Sequence, residues 1–342
     1  MKRTRALRSA GGLGLTLALT IASGALGQEA APAPAPAATP VEDAVDRGPL
    51  PPEPAQVTIK TYNASNRTVD LNEKVHALAR IKPFVAGEVM QIRFSHGGKV
   101  IKRKNMRVKQ MGHRNVGKVT LNSKKILDPG KYRAVALHKG SPNQQADHAK
   151  SPQFHPVFPD LDPGNRNSNV RLFNKLLDKE GYFTSHGSKY NDGTARAVMA
   201  FRKVNNKSRS FNASPEIFKT LADGKGGFRL KYPGAGHHVE VDISRQVMVL
   251  ADNGEAKHIF HVSTGAPSTP SDRGTFRFYS KDPGYNSLGM YYSVYYNRGE
   301  ATHGYHSVPP YNASHGCIRN PIPNSVFIYN WISLGNTMHV YS

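Results

Sequence analysis

Cysteine is almost absent from this chain: 342 residues contain one, Cys317, beside a single tryptophan, Trp331. One thiol cannot close an internal disulfide, and a zinc site would have to do without a second thiolate. Acid is scarce as well, with 24 Asp and Glu against 46 Lys and Arg and a formal net charge of +22. Beyond the start there is no apolar run of the roughly eighteen residues that a membrane helix needs. The histidines lack metal-ligand spacing, since His237 and His238 are adjacent and His113, His138 and His186 are scattered. No metal and no other cofactor is expected.

What is present begins with Lys2, Arg3, Arg5 and Arg8, then an apolar segment from Gly11 to Ala25 and the small residues Ala25-Leu26-Gly27. That layout predicts a secretory signal peptide over residues 1–27 and an exported protein of the cell wall or periplasm. Left uncleaved, the same segment would tether the chain to a membrane. Residues 28–55, rich in Pro and Ala, cannot bury a core and read as a semi-extended linker. In an oxidising compartment a lone thiol is a liability unless it works.

The charge is unevenly placed. Residues 56–155 hold 20 Lys and Arg against 5 Asp and Glu, whereas from Gly236 to the end the balance is 7 against 7. The cluster Lys102-Arg103-Lys104, with Arg107 and Lys109, suits docking onto anionic cell-wall polymers or an anionic lipid surface. The plainer reading is a solvated basic face that aids solubility. Export argues against a nucleic-acid partner, and the chain is expected to be a monomer.

A chain of this length suggests two or three domains. Over residues 56–155 short alternating stretches such as Val89-Met90-Gln91-Ile92-Arg93-Phe94 and Tyr132-Arg133-Ala134-Val135-Ala136-Leu137 predict strands, with turns at Gly97-Gly98 and Asp128-Pro129-Gly130. This region resembles an immunoglobulin-like β-sandwich. Residues 156–230 change period. Ser168 and Asp192 read as caps of two helices, and Ser214-Pro215 opens a third. Their order resembles a three-helix peptidoglycan-binding module, although Arg202 replaces a usual glutamine and Ser208-Arg209-Ser210-Phe211 replaces a Gly-rich turn. From residue 236 strands return, with His238–Ile243 and Gln246–Leu250 reading as a hairpin about Ser244-Arg245.

Within this last region Cys317 stands in Ser314-His315-Gly316-Cys317-Ile318-Arg319-Asn320, with His303-Gly304 upstream. A thiol is a nucleophile only as thiolate, and an imidazole is the usual way to make one. His303 and His315 are the nearest imidazoles in sequence. Gly316 leaves the backbone unhindered, so the N–H groups of Gly316 and Cys317 could stabilise an oxyanion. Arg319 has the planar fork that accepts a carboxylate, either a substrate's or one inside the fold. A buried structural cysteine is the bland alternative.

The seven-residue string with its upstream His-Gly resembles the active-site signature of the L,D-transpeptidases, the YkuD family. The likeness extends over residues 236–342 through the opening hairpin, Val262-Ser263-Thr264-Gly265, Thr269-Pro270 and Gly274-Thr275-Phe276. The resemblance implies a multidomain, mainly β protein: β-sandwich, three-helix module, and β-rich transpeptidase domain. It implies an acyltransferase in which Cys317 attacks a peptidoglycan stem peptide, D-alanine leaves, and an amine on another stem resolves the thioester to a 3-3 cross-link. His303 matches the motif base, with His315 as the other candidate, and the Gly304 carbonyl matches the group that orients the imidazole. Gly316, His315, Gly304 and Ser314 would support the oxyanion and the loop, and Arg319 and Asn320 would meet substrate, with bracing of the loop as the other reading for Asn320 and Ser314. Water in place of the amine would give an L,D-carboxypeptidase, and a domain that only recognises stems would be a non-catalytic scaffold.

Overall fold

The computed structural model describes residues 48–342; the signal peptide expected over 1–27 and the linker up to residue 47 lie outside the described residues. The alternation of residues 56–155 folds into two antiparallel sheets. One has the order β1-β3-β7-β6, from β1 (Gln56–Tyr62), β3 (Lys74–Lys82), β6 (Lys109–Gln110) and β7 (Gly117–Lys125). The other runs β5-β4-β8-β9, from β4 (Val89–His96), β5 (Lys99–Arg107), β8 (Tyr132–His138) and β9 (Asp147–Lys150). A short parallel pair, β2 (Thr68–Asp70) and β10 (His155–Val157), closes one end.

Strand period two sends every second side chain inward. Ala77, Ala79 and Ile81 of β3 therefore share a core with Met90, Ile92 and Phe94 of β4 and with Ala134 and Ala136 of β8. The Lys102-Arg103-Lys104 cluster lies on β5, the edge strand of its sheet. Exposed cations there also oppose edge-to-edge pairing with other chains. Lys102 is partly spent inside the fold, since its Nζ donates to the Asn122 carbonyl at 2.6 Å.

Three helices follow: α1 (Ser168–Lys179), α2 (Asp192–Val204) and α3 (Pro215–Ala222). The first two are capped one residue earlier than the sequence suggests. Asn167 accepts from the Val170 N–H and Asn191 from the Thr194 N–H, because an amide oxygen in extended backbone reaches the third residue on. Pro215 opens α3 behind Ser214, as expected.

The C-terminal region contains β11 (His238–Asp242), β12 (Val247–Asp252), β13 (Glu255–His261), β14 (Gly274–Arg277), β15 (Ser280–Tyr285), β16 (Tyr291–Asn297), β17 (Glu300–Tyr305), β18 (Ile318–Pro321), α4 (Ile322–Trp331) and β19 (Thr337–Tyr341). A five-stranded sheet has the order β13-β12-β11-β19-β14, and a four-stranded sheet the order β15-β16-β17-β18. Val239, Val241, Met248, Leu250, Phe260, Ile318 and Met338 form the core of this region.

The core of the helices is continuous with the neighbouring sheet. Phe173, Tyr182, Phe201 and Val204 cluster with Val247, Val249, Ala251 and Ile259 of β12 and β13. The unbroken run Val247-Met248-Val249-Leu250-Ala251 is thus explained: odd positions face the helices and even ones the transpeptidase-like core, so both faces are buried. Residues 51–342 form one compact unit.

Candidate active site

The site is built on two neighbouring parallel strands. β17 and β18 pair with Thr302 opposite Ile318, His303 opposite Arg319 and Gly304 opposite Asn320. Residues two apart on a strand share a face. His303 and Arg319 therefore project on one side, and Cys317, one position before β18, begins the same alternation. Asn320 and Gly304 fall on the other side.

That split bears on the expectation for Asn320. Asn320 is buried, its Oδ1 accepts from Ser325 Oγ at 2.7 Å, and its Nδ2 reaches Thr302 Oγ1 at 3.4 Å. These bonds tie α4 to the strands, the part a brace plays. Gly304 is needed for the same packing, because a Cβ there would run into the Ser325 side chain.

His303 is 2% exposed, and its Nδ1 lies 3.0 Å from the Gly304 carbonyl oxygen. A carbonyl only accepts, so Nδ1 carries the proton and Nε2 keeps its lone pair. Burial, joined by the nearby Arg319 charge and opposed by that hydrogen bond, lowers its pKa to about 4. The imidazole is neutral at physiological pH and ready to accept a proton. His315, the other candidate, is exposed.

Burial also raises the Cys317 pKa, and the Glu300 carboxylate adds to that, whereas a backbone bond from Ala301 and the Arg319 charge oppose it. The resting pair is a neutral thiol and a neutral imidazole. Proton transfer must then accompany attack. Tyr296, buried beside Glu300 and Cys317, has its pKa raised for similar reasons, burial first.

The loop ahead of Cys317 is fixed by hydrogen bonds. Ser314 Oγ donates to the Cys317 carbonyl at 2.5 Å, and Ser271 Oγ donates to the Gly316 carbonyl at 2.6 Å. With both carbonyls turned into the fold, the N–H groups of Gly316 and Cys317 take no partner among the loop and side-chain hydrogen bonds of the described residues. Two adjacent N–H groups without such partners are what an oxyanion hole requires. Gly316 has φ +112, a backbone that L side chains avoid, and a Cβ would sit 2.9 Å from Glu300 Oε1.

Arg319 has no carboxylate within ion-pair distance among the described residues. Its guanidinium lies 4.2 Å from the centroid of the Tyr305 ring, and Nη1 donates to the Ala313 carbonyl at 3.3 Å. The internal ion pair considered from sequence is thus not formed, and most of its donors stay free.

Behind the loop lies a pair that sequence reasoning missed. Lys203 of α2 is 2% exposed, and its Nζ contacts the carbonyl oxygens of Gln246 at 3.0 Å and Val262 at 2.8 Å, and His261 Nδ1 at 2.8 Å. His261 Nε2 in turn donates to the Val308 carbonyl at 3.1 Å. Burial, joined by the Arg209 charge, lowers the Lys203 pKa to about 6. A lysine in a cationic helix sequence carries no mark that distinguishes it from an exposed one. Ser271 and Glu300 were also missed, since their roles rest on contacts with the distant Gly316.

Residues 236–340 match the family model of the L,D-transpeptidase catalytic domain, YkuD. This segment is a YkuD-type L,D-transpeptidase domain. Among solved structures, the L,D-transpeptidase of Xylanimonas cellulosilytica is similar at 25% identity and a TM-score of 0.50, covering 54% of this chain and 98% of that one. An L,D-transpeptidase from Stackebrandtia nassauensis matches at 18% identity and TM-score 0.34, over 53% of this chain and 95% of that one. One from Mycobacterium smegmatis matches at 14% and 0.29, over 84% and 100%. No curated protein matches this chain. The L,D-transpeptidase domain holds Cys317, His303 and Arg319, and the β-rich fold expected for it is present.

Proposed function

We propose that this chain is an exported cysteine L,D-transpeptidase that forms 3-3 cross-links between peptidoglycan stem peptides. The observation that carries the reading is the placement of His303 and Arg319 opposite one another, on the face where Cys317 begins, with Nδ1 of the imidazole held by the Gly304 carbonyl.

In this reading Arg319 receives a substrate carboxylate as a fork. The Cys317 sulfur attacks the stem carbonyl that precedes D-alanine, and His303 Nε2 takes the thiol proton. The N–H groups of Gly316 and Cys317 hold the oxyanion. As the C–N bond breaks, His303 returns the proton to the departing D-alanine amine and a thioester remains. An amine of a second stem attacks that thioester and gives a proton to His303. The new amide forms and the thiol is restored, so atoms and protons balance. The N-terminal layout of residues 1–27 supports export, to where such stems lie.

The test is mass spectrometry of the purified chain with disaccharide-tetrapeptide, beside Cys317→Ala. Cross-linked dimer with loss of D-alanine, absent in the variant, is the expected result. Tripeptide monomer alone would replace transpeptidation by carboxypeptidase activity. Unchanged substrate with both proteins would favour a scaffold that only binds stems.

A further inference from the structure

A second concave site lies between the end of β7 and the start of α1. It is a cleft of about 550 Å³ lined by Lys125 at the end of β7 and by Arg166, Arg171 and Lys175 on the helical side. All four cations are exposed, and none has a carboxylate within ion-pair distance among the described residues. No acidic residue lines the cleft. Lys125 Nζ has one neutral partner, Asn72 Oδ1 at 3.1 Å.

This arrangement is costly when empty. Arg171 and Lys175 are four apart on one helix face, where like charges repel. The first turn of α1 has no acidic residue, so its positive end gains no internal counter-charge. Arg166 and Lys125 add to the same field from either side. Leu127 and Leu172 contribute apolar lining beside the charges. The chemistry therefore asks for an anionic group, on a small carbon frame, that presents several acceptor oxygens in different directions. A phosphate ester meets that better than a single carboxylate, because its oxygens can accept from several cations at once.

We propose that this cleft binds a phosphate ester carried on the sugar or polyol units of an anionic polymer. The site shares no residue with the catalytic loop, so it goes beyond the transpeptidase reading and does not depend on it. Its concave form favours a polymer unit over a flat lipid surface.

The experiment is calorimetric titration of the purified chain at low ionic strength with glycerol 3-phosphate, poly(glycerol phosphate), glucuronate and phosphatidylglycerol vesicles. Both glycerol phosphates should bind. Arg166→Gln and Arg171→Gln, exposed changes that leave the core intact, should each weaken them by about tenfold, the loss expected for one charge-assisted contact. Arg103→Gln, on β5, removes a charge elsewhere and should change affinity by less than about twofold. Cys317→Ala should bind as the parent does, which separates this site from the fate of the catalytic reading. The proposal is overturned by no binding of either glycerol phosphate, by equal weakening in Arg103→Gln, by glucuronate binding as tightly as glycerol 3-phosphate, or by capture on vesicles that persists in Arg171→Gln.

Discussion

Replacing Glu300 by glutamine should make Cys317 more reactive. The Glu300 Oε1 lies 2.9 Å from where a Cβ on Gly316 would sit, one residue before the nucleophile. After burial, its charge is what holds the thiol above its ordinary pKa. Glutamine keeps an Oε1 able to accept from the Asp272 N–H, now at 3.1 Å, and removes only the charge. At a partly buried site one elementary charge a few ångströms away is worth on the order of 1 kcal/mol, a factor of about five in an equilibrium. Below the thiol pKa the thiolate fraction, and with it the rate of alkylation, rises by the same factor, roughly fivefold.

The sign of the pH dependence follows from the same groups. Burial disfavours the thiolate, so protons leave Cys317 only at high pH, and the parent rate should climb about tenfold per unit from pH 6 to 8 without a plateau. His303, with a pKa of about 4, stays neutral over that whole range and contributes no step. Iodoacetamide alkylation followed by intact-protein mass measures both effects. A plateau below pH 7 in the parent would mean a preformed thiolate–imidazolium pair. That result, or equal or slower alkylation in Glu300→Gln, would refute the reasoning.

Three further outcomes are expected. His303→Gln should lower acyl-enzyme formation by about 10²- to 10⁴-fold, as loss of a general base does, while His315→Gln should stay within a few-fold of the parent. Single-turnover kinetics on the same stem peptide would separate the two histidines. Phe173→Ala, which opens the core shared by α1 and β12, should cost about 3–5 kcal/mol. Because that core is shared, near-UV circular dichroism of the transpeptidase domain should be lost in the same transition as helix signal; two separate transitions would contradict a common core. Lys203→Ala should cost about 2–4 kcal/mol through the acceptors left unpaired, and should speed proteolysis within residues 306–313, whose Val308 anchor rests on His261. Unchanged cleavage there would show that the loop is held by its other bonds.

Much of this protein was legible in its residues. The single cysteine, the string from Ser314 to Asn320 and the upstream His303-Gly304 pointed to the site, because nucleophile, base and flexible backbone are side-chain and glycine properties that sequence states directly. Period two and period 3.6 likewise marked the strands of residues 56–155 and the three helices, since local periodicity records which face is buried. Tertiary structure decided what depends on pairs distant along the chain. Parallel pairing of β17 with β18 set His303 opposite Arg319 and turned Asn320 to the far side, and a one-residue change of register would have reversed that choice. Burial, which no local pattern reports, made Lys203 an interior amine and lowered the pKa of both Lys203 and His303. The shared core of α1–α3 with β12 likewise arose only when two segments, each with one apolar face left uncovered, met and removed both faces from water.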